Sequence, residues 1–158
     1  MKAEKPTIPR CAPEGTRWTG GPIEWFRITL KVKSEDIVPD EVSRFFGCEP
    51  DVSQQKDKPI LRDDGTVKRV PKFGYWNMVI SPEDTDEWDC CEAAMALLDR
   101  LPTDIDSWLS VSSKYPVGIV FALSMDSSNK GFSFSNQFLK YVGDRGINLE
   151  FDIYHEED

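Results

Sequence analysis

Apolar and polar residues alternate one for one along several stretches of this chain. In residues 24–32, Phe26, Ile28, Leu30 and Val32 are separated by Arg27, Thr29 and Lys31. A period of two puts one set on a single side of an extended backbone, so the stretch predicts a strand with one buried face. Val117, Ile119, Phe121, Leu123 and Met125 repeat the pattern, and Ile147, Leu149, Phe151 and Ile153 repeat it near the end. Tyr75 to Ile80 predicts another strand, with Trp76, Met78 and Ile80 on one side. Trp108 to Ser112 carries the same pattern over a shorter run and is read as a strand too. Alternation of this kind, rather than continuous apolar runs, points to a mostly antiparallel sheet with one wetter face.

Between the strands the spacing changes to three and four. Pro39-Asp40-Glu41 suits a helix start, because Pro pre-sets φ and the acids complement the positive end of the helix dipole. Val42, Phe45 and Phe46 give that helix an apolar face, and Gly47 supplies the left-handed stop. Ser81-Pro82-Glu83-Asp84 predicts the start of a second helix running to about Arg100. Trp88, Cys91, Met95 and Leu98 then share one face and read as core. Ser133 or Ser135 caps a third helix in which Phe134, Phe138, Tyr141 and Val142 lie together, with Gly143 and Gly146 ending it. Residues 48–73 are irregular, apart from a small hairpin predicted at Asp64-Gly65 between Ile60-Leu61 and Val67.

Together these elements predict an α+β fold: a mostly antiparallel sheet with three helices packed on one face. Two split βαβ units would make it ferredoxin-like. Residues 1–23, interrupted by Pro6, Pro9, Pro13 and Pro22, read as an extended arm, and residues 24–158 as a single domain.

Composition narrows the function classes. The chain has 158 residues, 39% of them hydrophobic and 30% charged, which suits one globular core. With 19 basic against 28 acidic side chains, its formal net charge is −9. A negative field repels phosphate backbones and anionic lipid, which argues against nucleic-acid and membrane-surface binding, and it speeds encounter with a basic protein partner. No apolar run approaches the ~20 residues of a membrane helix. Lys2 and Lys5 have no apolar stretch behind them, so a secretory signal is not expected, and the cytoplasm is the expected compartment. The four cysteines, Cys11, Cys48, Cys90 and Cys91, contain no CxxC, and His155 is the one histidine. A zinc site takes four Cys or His ligands in paired spacing. Reduced thiols, no metal and no cofactor are therefore expected. Nothing in the pattern fixes an oligomeric state.

In order, these motifs resemble the bacterial family catalogued as domain of unknown function 4279. The resemblance begins with the Ile28-Thr29-Leu30-Lys31-Val32 strand and Pro39-Asp40-Glu41-Val42. It continues through the Gly-x-x-Pro turn in Phe45-Phe46-Gly47-Cys48-Glu49-Pro50, a basic loop, the strand with Trp76 and a helix rich in Leu and Ala. It closes on the run from Gly146 to Tyr154, which fits a Gly-x-x-Leu-x-x-Asp-x-Tyr pattern. Members usually carry a Lys-Gly-Asp-like element after the Pro turn; here Lys56-Asp57 stands without the glycine. The family brings no established activity. By analogy with other small bacterial families of this kind, the resemblance implies an immunity protein that neutralises a neighbouring toxin.

Two charged surfaces are the candidate sites. Residues 54–73 hold Lys56, Lys58, Arg62, Lys68, Arg69 and Lys72 against three acids, a net +3 that leaves −12 on the rest of the chain. Such a loop suits an anion or the acidic patch of a partner; its plain alternative is a solvated loop paired with the protein's own acids. The acidic stretch from Glu83 to Asp99, with Asp86, Glu87, Asp89 and Glu92, is the rival, fitted to a basic cleft of a toxin; its plain alternative is a solvated face. Trp76 is counted among the candidate partner contacts. Trp25, Tyr75 and Tyr154 fall opposite the apolar rows, where aromatics often anchor interfaces. Glu150 and Asp152 lie on one side of a strand, but no base, nucleophile or phosphate-cradling Gly loop accompanies them, so no catalytic residue is expected. The expected function is a non-catalytic binding protein, with a small-ligand or anion sensor using loop 54–73 as the alternative.

Overall fold

The computed structural model describes Ile23 and residues 25–87, 89–125 and 130–155. Residues 1–22 of the expected arm (1–23) and Trp88 lie outside the described residues. In chain order the elements are β1 (Trp25–Ser34), α1 (Pro39–Phe46), β2 (Val52–Gln54), β3 (Ile60–Leu61), β4 (Val67–Arg69), β5 (Gly74–Ile80), α2 (Cys90–Leu98), α3 (Ile105–Ser112), β6 (Val117–Met125), α4 (Asn136–Asp144) and β7 (Ile147–His155).

The alternating stretches form a five-stranded sheet in the order β2-β5-β1-β6-β7, with β3 and β4 as a separate hairpin. β1 runs antiparallel to both β5 and β6, and β2 antiparallel to β5. β6 and β7 are parallel and adjacent, joined by α4, so the sheet is mixed. This βαβ unit is unsplit, and the strand order does not establish a ferredoxin-like layout.

The even positions of β1 and β5 and the odd positions of β6 share one face. Phe26, Ile28, Leu30, Val32, Trp76, Met78, Ile80, Val117, Ile119, Phe121 and Leu123 are all buried there. Val42 and Phe46 of α1, Ala93, Ala94, Leu97 and Leu98 of α2, and Phe138 and Val142 of α4 complete the same core. Phe46 packs between two indoles, with ring centroids 5.3 Å from Trp76 and 4.8 Å from Trp108. The opposite face is the wetter one: Trp25, Arg27, Lys33, Glu150, Asp152 and Tyr154 are exposed on it and Tyr75 is half-buried.

Three expectations need correction. There are four helices among the described residues rather than three, because Trp108 to Ser112 is helical. Asp104 caps α3 by accepting the Ser107 N–H at 2.9 Å, and Trp108 and Val111, three apart, face inward. A local cap and an i, i+3 apolar pair outweigh a short alternation. The second helix begins at Cys90 rather than near Ser81. Asp89 accepts the Cys91 and Glu92 N–H groups at 2.8 and 3.1 Å, whereas Ser81 is held in a turn, its N–H donating to Asp84 at 2.8 Å. Polar side chains bound to nearby backbone compete with a helix, and residues 81–87 show that outcome. Finally, Trp76 is fully buried, its indole N–H donating to Ser43 Oγ at 3.0 Å. It is a core residue and not a partner contact, because even positions of β5 face the helices.

Candidate functional site

The acidic stretch divides in two. Glu83 and Asp84 stay in the Ser81 turn, where hydrogen bonds from the Ser81 hydroxyl lower both carboxyl pKa values. Asp86 is exposed beside them. Glu87, Asp89 and Glu92 instead line a groove of about 680 Å³ between α2 and the segment leading into α4. Asp99, at the far end of α2, joins them. Met95 and Ala96 give the groove an apolar floor, and Phe134, Ser133 and Gln137 form the opposite wall.

The carboxylates in this groove differ in state. Asp89 is occupied as the cap of α2. Glu92 is pushed above the ordinary carboxylate range, first by a hydrogen bond with Glu87, then by burial and by the negative charge of Glu87 and Asp89. Among the described residues neither Glu87 nor Glu92 forms an ion pair. Two carboxylates held together without a cation favour a positive charge placed between them. Among the described residues no three metal-ligating side chains converge.

The basic loop uses three of its six cations on the protein itself. Lys56 Nζ lies 2.9 Å from Glu35, which lowers the Glu35 pKa and raises that of Lys56. Arg69 donates to the buried Gln54 at 2.6 Å, and Gln54 donates to the Phe73 carbonyl at 2.9 Å. Arg62 closes the β3–β4 turn by donating to Thr66 Oγ1 and the Val67 carbonyl. Lys58, Lys68 and Lys72 are exposed. The groove lining contains none of the loop's cations.

The carboxylates Glu150 and Asp152 are engaged separately. Glu150 reaches across β6 to Lys31 at 2.7 Å, over Gly118, where any Cβ would meet its Oε1 at 2.6 Å. Asp152 accepts the Tyr154 hydroxyl. The thiols of Cys90 and Cys91 are buried and free, and burial pushes Cys90 up to about 12.

A family model described as Domain of unknown function (DUF4279) matches residues 24–156. The chain belongs to this family. No curated protein and no solved structure matches it. Gly47 ends α1 at φ +64°, in the left-handed region. Asp57, following Lys56, has φ +60°, the one positive φ outside glycine among the described residues. That conformation is easiest for glycine and tolerated by Asp.

Met95, Phe134 and Gln137 were absent from the sequence-based set of candidates. Met95 carried a partial signal, lying one turn before Asp99 on the predicted helix. Phe134 and Gln137 carried none, because only the fold brings the segment before α4 against α2.

Proposed function

We propose that this chain is a non-catalytic binding protein whose acidic groove holds a basic segment of a protein partner. The observation that carries this reading is that Glu87 and Glu92, which form no ion pair among the described residues, line one groove with the apolar Met95 and Ala96. A Lys or Arg side chain entering the groove places its charge between the carboxylates and its methylenes on Met95 and Phe134. The most concrete form is an immunity protein that neutralises a cognate bacterial toxin in the cytoplasm. No helix of the described residues is long and apolar enough to cross a membrane, which is compatible with that location.

Co-expression with the product of the adjacent gene tests the reading. A complex that relieves toxicity and is lost on Glu87→Lys/Glu92→Lys supports it; toxicity without rescue, or a complex indifferent to those changes, counts against it. The anion-sensor alternative rests on Lys58, Lys68 and Lys72. It fails if their replacement by Gln leaves thermal shifts across a metabolite panel unchanged.

A further inference from the structure

The two ends of the sheet are protected very differently. One edge is β2, only three residues long. The other is β7, nine residues long, whose single partner among the described residues is β6. Edge strands are usually blunted by shortness, Pro, Lys or a bulge. β7 has no Pro or Lys, and its register with β6 runs unbroken from Ile147 to His155.

The helices leave the far half of this strand uncovered. Phe151 and Ile153 point to the helix side of the sheet yet are 45% and 55% exposed. The Phe151 ring stacks on Phe121 at 5.6 Å and on the exposed Phe132 at 5.9 Å. Phe134, a wall of the acidic groove, lies 5.9 Å from Phe151. An apolar strip thus runs from the free edge to the groove. The other face of β7 carries Glu150 and Asp152.

We infer that the free edge of β7 accepts an extended segment of a partner protein as a sixth strand, with apolar and basic residues alternating along it. The backbone supplies the hydrogen bonds of strand addition, Phe151 and Ile153 receive the apolar side chains, and Asp152 and Glu150 face the basic ones. A second copy of the chain is a poorer occupant. Setting Phe151 against residue 149, 151 or 153 of an antiparallel copy brings Glu150 to Glu150, Glu150 to Asp152, or Asp152 to Asp152. Like charges directly opposite destabilise a pair, and Lys31 offsets only the charge of Glu150.

This surface is separable from the groove. Amide hydrogen exchange on the full chain is measured with a synthetic nine-residue peptide alternating Val and Lys, and with one alternating Val and Glu. The expected result is at least a tenfold slowing of the amides of residues 147–155 that β6 does not bond, with the Val–Lys peptide alone. Asp152→Lys is expected to remove the slowing, with Asp152→Asn as a milder second variant. Glu87→Gln/Glu92→Gln is expected to leave it in place, so failure of the groove reading and failure of this one are distinguishable. The inference is overturned if the Val–Lys peptide gives no slowing, or if the Val–Glu peptide does as well. It is also overturned if the same amides are protected without peptide, either by a concentration-dependent dimer or until residues 1–22 are deleted.

Discussion

β5 and β7 carry the same kind of sequence and meet different fates. In β5 the apolar positions Trp76, Met78 and Ile80 are all buried, and even the intervening residues are only partly accessible. In β7, Ile147 is buried and Leu149 half-buried, while Phe151 and Ile153 stand open. β5 lies between β2 and β1, with α1 and α2 against it; β7 has one strand neighbour among the described residues, and α4 packs against it. An alternating stretch states which face seeks burial. Whether that face finds a cover depends on the length and position of helices elsewhere in the chain.

The contrast can be tested by substitutions at the two ends, and chemical denaturation reads the first four. Trp76→Ala should have the largest effect, about 3–5 kcal/mol, since it empties a fully enclosed site and removes the indole donor to Ser43 Oγ. Gly74→Ala should come next. Its Cβ would sit 2.3 Å from Ile37 Cγ2 and 3.1 Å from the Gln54 carbonyl, and overpacking of this kind costs about 1–3 kcal/mol. Phe151→Ala should cost about 1 kcal/mol, because nearly half the ring is already in water. A loss of 3 kcal/mol or more would mean that β7 is covered in solution.

Gly118→Ala, the β7-side counterpart of the Gly74 change, should cost under about 1 kcal/mol. There the new methyl meets the carboxylate end of a long side chain, Glu150, and what is lost is a partly exposed ion pair with Lys31. Equal losses at Gly74 and Gly118 would erase the difference between the two ends. The smallest effect should be at Glu92, in the groove that shares Phe134 with the β7 strip. Its folded-state pKa is raised, so the folded protein binds the proton more tightly than the unfolded chain does. Its ionisation therefore penalises the fold as pH rises through that raised pKa, and the penalty is absent at lower pH. Glu92→Gln should flatten thermal stability against pH across that window and raise the melting temperature slightly at pH 7.

Much of the architecture was legible because it depends on neighbours in sequence. The strands at residues 25–34, 74–80, 117–125 and 147–155, the Pro39 helix with its Gly47 stop, the Ser135 cap and the Asp64-Gly65 hairpin all follow from local spacing and turn chemistry. α3 and the start of α2 were misread where two local signals competed, alternation against the Asp104 cap and the Ser81 turn against the Asp89 cap. The site was legible only as charge. Sequence showed the acidic stretch and the basic loop but could not tell which had spent its charges. Lys56 and Glu35 are 21 residues apart, and Arg69 and Gln54 are 15 apart.

What the sequence determined alone is therefore the periodicity: which residues seek an interior, where helices can begin and stop, and an excess of negative charge. Tertiary structure alone decided that the walls of the groove meet, that Trp76 lies inside, and that half of an apolar strand face remains in water. The physical reason is that dihedral preference and amphipathic pattern act over a few residues, while burial and ion pairing depend on distances set by the whole chain.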